Sequence, residues 1–69
     1  MMKEYSKALK YHLLFVELKP HNGDGYNALG LDYYYTRDYK NALKYLKLAK
    51  KNGFNVQESL LDRLEKIVK

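Results

Sequence analysis

Cysteine is absent from this 69-residue chain, so no disulfide is available to stabilise the fold and no thiol to act as a nucleophile. The two histidines, His12 and His21, have no third or fourth ligand at metal spacing, which argues against a structural zinc. We therefore expect no metal and no cofactor. A domain of this size is only marginally stable. Its stability must come from tight helix packing, self-association or a larger parent chain.

Other features are scarce as well. Proline occurs once and glycine four times, which indicates long unbroken elements. No apolar run approaches the roughly 18 residues of a membrane span, and the N-terminus is too polar for a signal peptide, so a cytoplasmic location is expected. The net charge of +5 would suit nucleic acid or an acidic partner. However, the lysines are spread along the chain, and arginine, the better phosphate ligand, occurs only twice.

The chain repeats itself with an offset of 34 residues. Residues 5–11 read Tyr-Ser-Lys-Ala-Leu-Lys-Tyr and residues 39–45 read Tyr-Lys-Asn-Ala-Leu-Lys-Tyr, so five of seven positions are identical. Leu14 and Leu48 match in the same register. A period of about 34 residues accommodates two helices and a turn. The sequence therefore predicts one domain built from repeated helical hairpins.

Helical periodicity and breaker residues divide the chain into four predicted helices. Helix 1 is expected over about residues 3–18, because Pro20 cannot continue a helix. Helix 2 is expected to begin near Asp24, whose carboxylate would accept from the free N–H groups of the first turn. Gly30 inside this helix costs roughly 1 kcal/mol relative to alanine. Close approach of another helix would offset that cost, so we expect one at Gly30.

The second half of the chain contains the other two predicted helices. Asp38 is expected to cap helix 3, and Gly53 to end it in the left-handed conformation. Ala42 and Ala49 supply small residues opposite Gly30, where helices 2 and 3 would meet. Helix 4 is expected over about residues 56–68, with an apolar stripe on one side formed by Leu60, Leu64 and Ile67.

These residues resemble the tetratricopeptide repeat family. The family pattern has an aromatic, then leucine-glycine, then tyrosine in the first helix, and an aromatic followed by small and bulky residues in the second. The matching positions here are Tyr26, Leu29, Gly30, Tyr33, Tyr39, Ala42, Leu46 and Ala49. Phe54 departs from the pattern, because proline is usual at its position.

The resemblance covers about one and a half repeats and a capping helix within a single domain of residues 1–69. Residues 23–56 resemble a complete repeat. Residues 3–22 resemble the second helix of a preceding repeat, with Tyr5, Ala8, His12 and the closing Pro20, but with Phe15 where a small residue is usual. Residues 57–69 resemble a capping helix.

The resemblance implies an all-α fold in which four helices form antiparallel hairpins, stacked as a short right-handed α-solenoid. In this family the first helices of the repeats line a concave groove that binds peptides. The groove positions on helix 2 would be Asp24, Asn27, Leu31, Tyr34 and Tyr35. Those on helix 4 would be Glu58, Leu61, Asp62, Glu65 and Val68.

Tyr34 and Tyr35 are the strongest indication of binding in the sequence, because aromatic side chains of this type anchor interfaces. The alternative is that they only flank the core. The family subtype that clamps a C-terminal carboxylate has asparagine where Leu31 stands, and helix 4 offers acids instead of bases. A basic or apolar ligand is therefore expected.

Helix 1 is apolar nearly all round, which predicts burial on more than one side. The residues beyond its core stripe are Leu13, Leu14, Val16 and Leu18. Three explanations remain open: a second copy packs there in a two-fold dimer, the chain ends a longer repeat array, or helix 1 rotates to bury more of itself.

The remaining patterns have plainer explanations. Lys40, Lys44, Lys47 and Lys51 form a basic stripe that a solvated helix face explains better than nucleic acid. His12 occupies a core position, which predicts a packed, hydrogen-bonded histidine and not a catalytic one. The Asn-Gly-Asp-Gly segment at residues 22–25 is a turn and cap, not a phosphate loop. We expect no enzymatic activity.

The sequence thus favours a protein–protein interaction module or scaffold that binds a peptide or partner protein through its concave face. The alternative is a self-assembling unit, a homo-oligomer formed through helix 1. A basic nucleic-acid-binding module is less favoured.

Overall fold

The computed structural model describes the backbone of residues 2–68 and the side chains of residues 7–68. Four α-helices make up the fold: α1 (Met2–Leu18), α2 (Gly23–Tyr35), α3 (Tyr39–Lys51) and α4 (Glu58–Val68). No strand occurs within residues 2–68, so the all-α prediction is confirmed. The predicted role of the Tyr5 side chain lies outside the described residues. None of the described helices is long and apolar enough to cross a bilayer.

Helix α2 is capped by a different residue from the expected one. The side chain of Asn22 accepts from the backbone N–H of Gly25 at 3.2 Å, whereas the exposed Asp24 lies inside the first turn. The prediction that Asp24 caps α2 is therefore wrong, because the cap is the residue just before the first helical one. Asp24 still lies at the positive end of the helix dipole, where a carboxylate is favourable.

The boundaries of α3 agree with the sequence. Asp38 caps its first turn by accepting from the backbone N–H of Asn41, and the Asn41 side chain donates to Asp38 Oδ2 at 2.8 Å. Gly53 follows the helix with φ +92°, the left-handed conformation expected of it. Val56 was expected to lie in helix 4, but it lies in the segment before α4 and is buried in the core.

Each helix packs only on its neighbours in sequence. Within the described part of the chain, α1 packs on α2, α2 on α3 and α3 on α4, and no other pair of helices comes within 8 Å between Cα atoms. The result is a slab of about 30 × 29 × 15 Å in which only α2 and α3 have neighbours on two sides.

Close approach of α2 and α3 depends on Gly30. A Cβ atom added at Gly30 would lie 2.5 Å from Leu46 Cγ, far inside van der Waals contact. Leu46, Ala42 and Ala49 are all fully buried, but Leu46 is the residue that faces Gly30, whereas the backbone of Ala49 faces Gly23. The expectation that another helix approaches closely at Gly30 is confirmed, and the packing gained there offsets the low helix propensity of glycine.

The contact between α1 and α2 depends on a second glycine and a polar pair. A Cβ atom at Gly25 would lie 2.7 Å from the ring of Phe15 and 3.0 Å from Val16. Further along the same two helices, Nδ1 of His12 donates to the buried carboxylate of Asp32. The predicted hydrogen bond of His12 is therefore confirmed, but its side chain is 36% exposed and lies at the edge of the core instead of within it.

Candidate partner-binding surface

The open side of α2 carries a continuous row of side chains. Asp24, Ala28, Leu31 and Tyr35 follow each other at spacings of three or four residues, which places them on one face of the helix. We call this row the α2 stripe. The contacts of α2 with its neighbours use other positions, such as Gly25 toward α1 and Gly30 toward α3. Asp24 and Tyr35 are exposed, and Ala28 and Leu31 are half-buried.

The adjacent tyrosines of α2 have different environments. Tyr34 is half-buried, packs on the core and contacts the ring of Tyr39 edge-on at 5.7 Å. Tyr35 is 50% exposed, and its ring meets that of Tyr34 edge-on at 5.5 Å. Tyr34 therefore flanks the core, whereas Tyr35 presents its ring at the surface.

A notch of about 310 Å³ adjoins the α2 stripe where α1 and α2 meet. Its walls are formed by His12, Phe15, Asp24, Gly25 and Ala28. Asp24 and Ala28 thus belong to both the stripe and the notch, so the two form one surface. Asn27, another predicted groove residue, lies on α2 next to Ala28 and is half-buried.

Helix α4 does not provide the far wall that the sequence predicted. Leu61 is 93% buried in the core, and only its remaining surface, with Glu58 and Glu65, lines a notch of about 520 Å³ between α3 and α4. Glu65 Oε2 lies 2.8 Å from Lys47 Nζ, and Glu58 pairs with Lys50. The acids of α4 therefore face lysines of α3 and not the α2 stripe, and α2 and α4 do not approach each other within 8 Å between Cα atoms.

These ion pairs also change the interpretation of the basic stripe on α3. Lys47 is paired with Glu65, and Lys44 Nζ lies 5.3 Å from the centre of the Tyr45 ring. Two of the four lysines in the predicted stripe thus have contacts within the chain. That the stripe is a solvated helix face and not a phosphate-binding site stays a prediction.

The exposed side of α1 carries several large apolar side chains. Tyr11 is 74% exposed, Leu14 53% and Leu18 73%, and we call these three residues the α1 outer face. Of the residues predicted to self-associate, Leu13 and Leu14 are exposed. Val16 is not on this face, because it packs against Gly25 of α2 and is half-buried.

Two features of the site were missed at the sequence level. Asp32 is 93% buried and is the acceptor for His12, although its residue type gave no indication of this role. The seven-residue spacing from Gly25 to Asp32, which puts both on the face toward α1, was the available signal. The second missed feature is Tyr11. Its match to Tyr45 in the repeated segment was the signal that could have indicated it.

Tyr33 has a clearly perturbed pKa. Burial raises the pKa of Tyr33, and the neighbouring Tyr45 and Asp38 raise it further. No three His, Cys, Asp or Glu side chains come together within residues 7–68 in a way that could hold a metal ion.

Comparison with family models, curated proteins and solved structures finds no match for this chain.

Proposed function

We propose that this chain is a protein-interaction module that binds a peptide or partner protein through the α2 stripe. The observation that carries the proposal is the half-exposed ring of Tyr35, next to Leu31 on an open helix face. Tyr34, itself packed on the core, contacts that ring edge-on. An aromatic side chain oriented in advance loses little conformational entropy when a partner binds, so it makes an effective anchor.

The chemistry of the surface suggests the kind of partner. Asp24 is exposed at one end of the stripe, and the notch beside it has apolar walls from Phe15 and Ala28. An apolar side chain of the partner would fill the notch, and a basic one would lie near Asp24. The proposed ligand is therefore a peptide segment that combines apolar and basic residues.

The tetratricopeptide arrangement is part of this proposal. It is supported by the order in which the helices pack, each on its sequence neighbours, and by the contact of Gly30 with Leu46. A short helical array of this type offers binding faces without a catalytic site.

A peptide selection followed by calorimetry tests the proposal. Peptides selected from a displayed random library on the immobilised chain are titrated into wild type, Tyr35→Ala and Leu31→Ala. We expect Tyr35→Ala to weaken binding about 30-fold, the loss typical of an interface hot spot of about 2 kcal/mol. Lys66→Ala, an exposed residue on α4, is the matched control and should bind as wild type does.

Circular dichroism checks that the variants keep their helix content. We expect Tyr35→Ala to keep it, because half of the Tyr35 side chain is exposed. Selected peptides that bind Tyr35→Ala and Leu31→Ala as tightly as wild type would contradict the α2 stripe as the binding surface. A library that yields no binder would contradict the proposed function itself.

A further inference from the structure

Tyr45 shows how the structure covers a tyrosine at this position of the repeat. Its ring is stacked on Tyr33 at 5.5 Å and 8°, and on Tyr26 at 6.2 Å and 18°. Both partners lie on α2, seven residues apart, so that they are on the same face of the helix. The side of α3 that carries Tyr45 is therefore covered by a helix with two ring-sized side chains at this spacing.

Tyr11 is the counterpart of Tyr45 in the first copy of the repeated segment, 34 residues earlier in the chain. Unlike Tyr45, whose ring is covered by α2, Tyr11 has a side chain that is 74% exposed. Leu14 and Leu18 extend the uncovered surface along α1. Among the described helices, α1 packs only on α2, which covers a different side of it. The α1 outer face thus lacks the covering helix that α3 has.

Helix α4 carries the matching feature. The same offset that relates Tyr11 to Tyr45 relates Tyr26 to Leu60 and Tyr33 to Ile67. Leu60 and Ile67 are apolar, lie seven residues apart and share one flank of α4. Leu60 is half-buried against the core of its own chain, whereas Ile67 is 50% exposed, and among the described helices α4 packs on α3 alone. The flank that α2 uses to cover α3 is therefore present on α4, where it is open at Ile67.

We propose that α4 of one copy packs on the α1 outer face of a second copy, so that Leu60 and Ile67 cover Tyr11 as Tyr26 and Tyr33 cover Tyr45. The two helices would complete between copies the same hairpin that α2 and α3 form within one. This contact uses surfaces other than the α2 stripe, so it can be tested independently of the proposed peptide binding.

The proposed contact differs from a two-fold dimer. It joins two different faces. After one contact has formed, each of the two copies still has one open face, so further copies add head to tail and the assembly does not close at two copies. Leu64 stands where α2 has Gly30 and is fully buried in the core of its own chain, so α4 cannot approach α1 through this position as closely as α2 approaches α3. The association is therefore expected to be weak and dependent on concentration.

Light scattering over a concentration series tests the proposal on the intact chain. We expect the average mass of the wild type to rise with concentration beyond twice the chain mass of 8.2 kDa. Tyr11→Glu and Ile67→Glu, each disrupting one of the two faces, should be monomers. Asn55→Glu, which adds the same charge at an exposed loop position, should associate as wild type does.

Mixing the variants gives the sharpest outcome. Tyr11→Glu keeps an intact α4 flank and Ile67→Glu an intact α1 outer face, so an equimolar mixture should form a dimer that does not grow further. Tyr11→Phe retains the ring and should associate, and Ile67→Ala should weaken association without introducing a charge that could disturb α4. A wild type that stays monomeric overturns the proposal. A dimer that persists in Ile67→Glu, or a mixture that stays monomeric, overturns it as well.

Discussion

Tyrosine side chains serve several purposes in this small chain, and their surroundings decide which. Tyr26 and Tyr33 stack on Tyr45 between α2 and α3, where their rings supply apolar area that a larger domain would obtain from aliphatic residues. Tyr35 and Tyr11, which have the same side chain, are half or more exposed. The residue type therefore indicates interface chemistry without indicating which interface.

The raised pKa of Tyr33 predicts a loss of stability in alkali. Burial, followed by the proximity of Tyr45 and Asp38, holds Tyr33 in its neutral form when the protein is folded. The stabilising contribution is present in full below about pH 10, the ordinary tyrosine value, and is lost as the pH rises through the raised pKa. Tyr33→Phe, which cannot ionise, should lose less stability than wild type between about pH 9 and pH 11.

Urea unfolding followed by circular dichroism across that range measures the effect. Tyr11→Phe removes a tyrosine that is exposed, and serves as the matched control that should follow the wild type. Parallel pH profiles for wild type and Tyr33→Phe would contradict a role for Tyr33 burial.

At the scale of elements, α1 has a single neighbour among the described helices. It packs on α2, and its contacts there include the approach of Phe15 and Val16 to Gly25 and the pair formed by His12 and Asp32. The Asp32 carboxylate is buried, so losing its partner would leave a desolvated polar group, which is costly. The polar pair therefore favours one rotation and one register of α1 on α2.

A double-mutant cycle measures how strongly that pair holds the two helices together. Replacing His12 and Asp32 by alanine, singly and together, should give a coupling free energy of about 1–2 kcal/mol in urea unfolding. The control cycle combines Asp32→Ala with His21→Ala, an exposed histidine outside this contact, and should give a coupling near zero. Equal coupling in the two cycles would contradict the contact between His12 and Asp32.

At the scale of the whole molecule, stability is distributed along one dimension. Because the described helices contact only their sequence neighbours, α2 and α3 each have two partners and α1 and α4 have one. Arrays of this kind open from their ends, since opening a terminal helix breaks a single interface.

Native-state hydrogen exchange should reveal this order. We expect amide protons of α2 and α3 to be the most protected, and those of α1 and α4 to exchange through local opening of lower free energy. The measurement is made at low concentration, where proposed contacts between copies are absent. Uniform protection across all four helices would show that the fold opens as one unit and contradict the prediction.

Local chemistry alone determined the number of helices, their approximate ends and the tight contact between α2 and α3. Pro20, Asp38 and Gly53 act on the backbone within a turn of their own position, so their effects are readable without a fold. Gly30 was informative because a glycine inside a helix needs a compensating contact.

Only the tertiary structure decided how each helix is rotated toward its neighbours. Leu61 is in the core, Val16 faces α2, and Glu65 pairs with Lys47 on α3, although periodicity allowed another orientation for each. A residue on the flank of an apolar stripe is buried or open according to a rotation of a few tens of degrees, and that rotation is set by side chains from distant parts of the chain. The sequence therefore determined the elements, and packing determined which of their faces remain open for a partner.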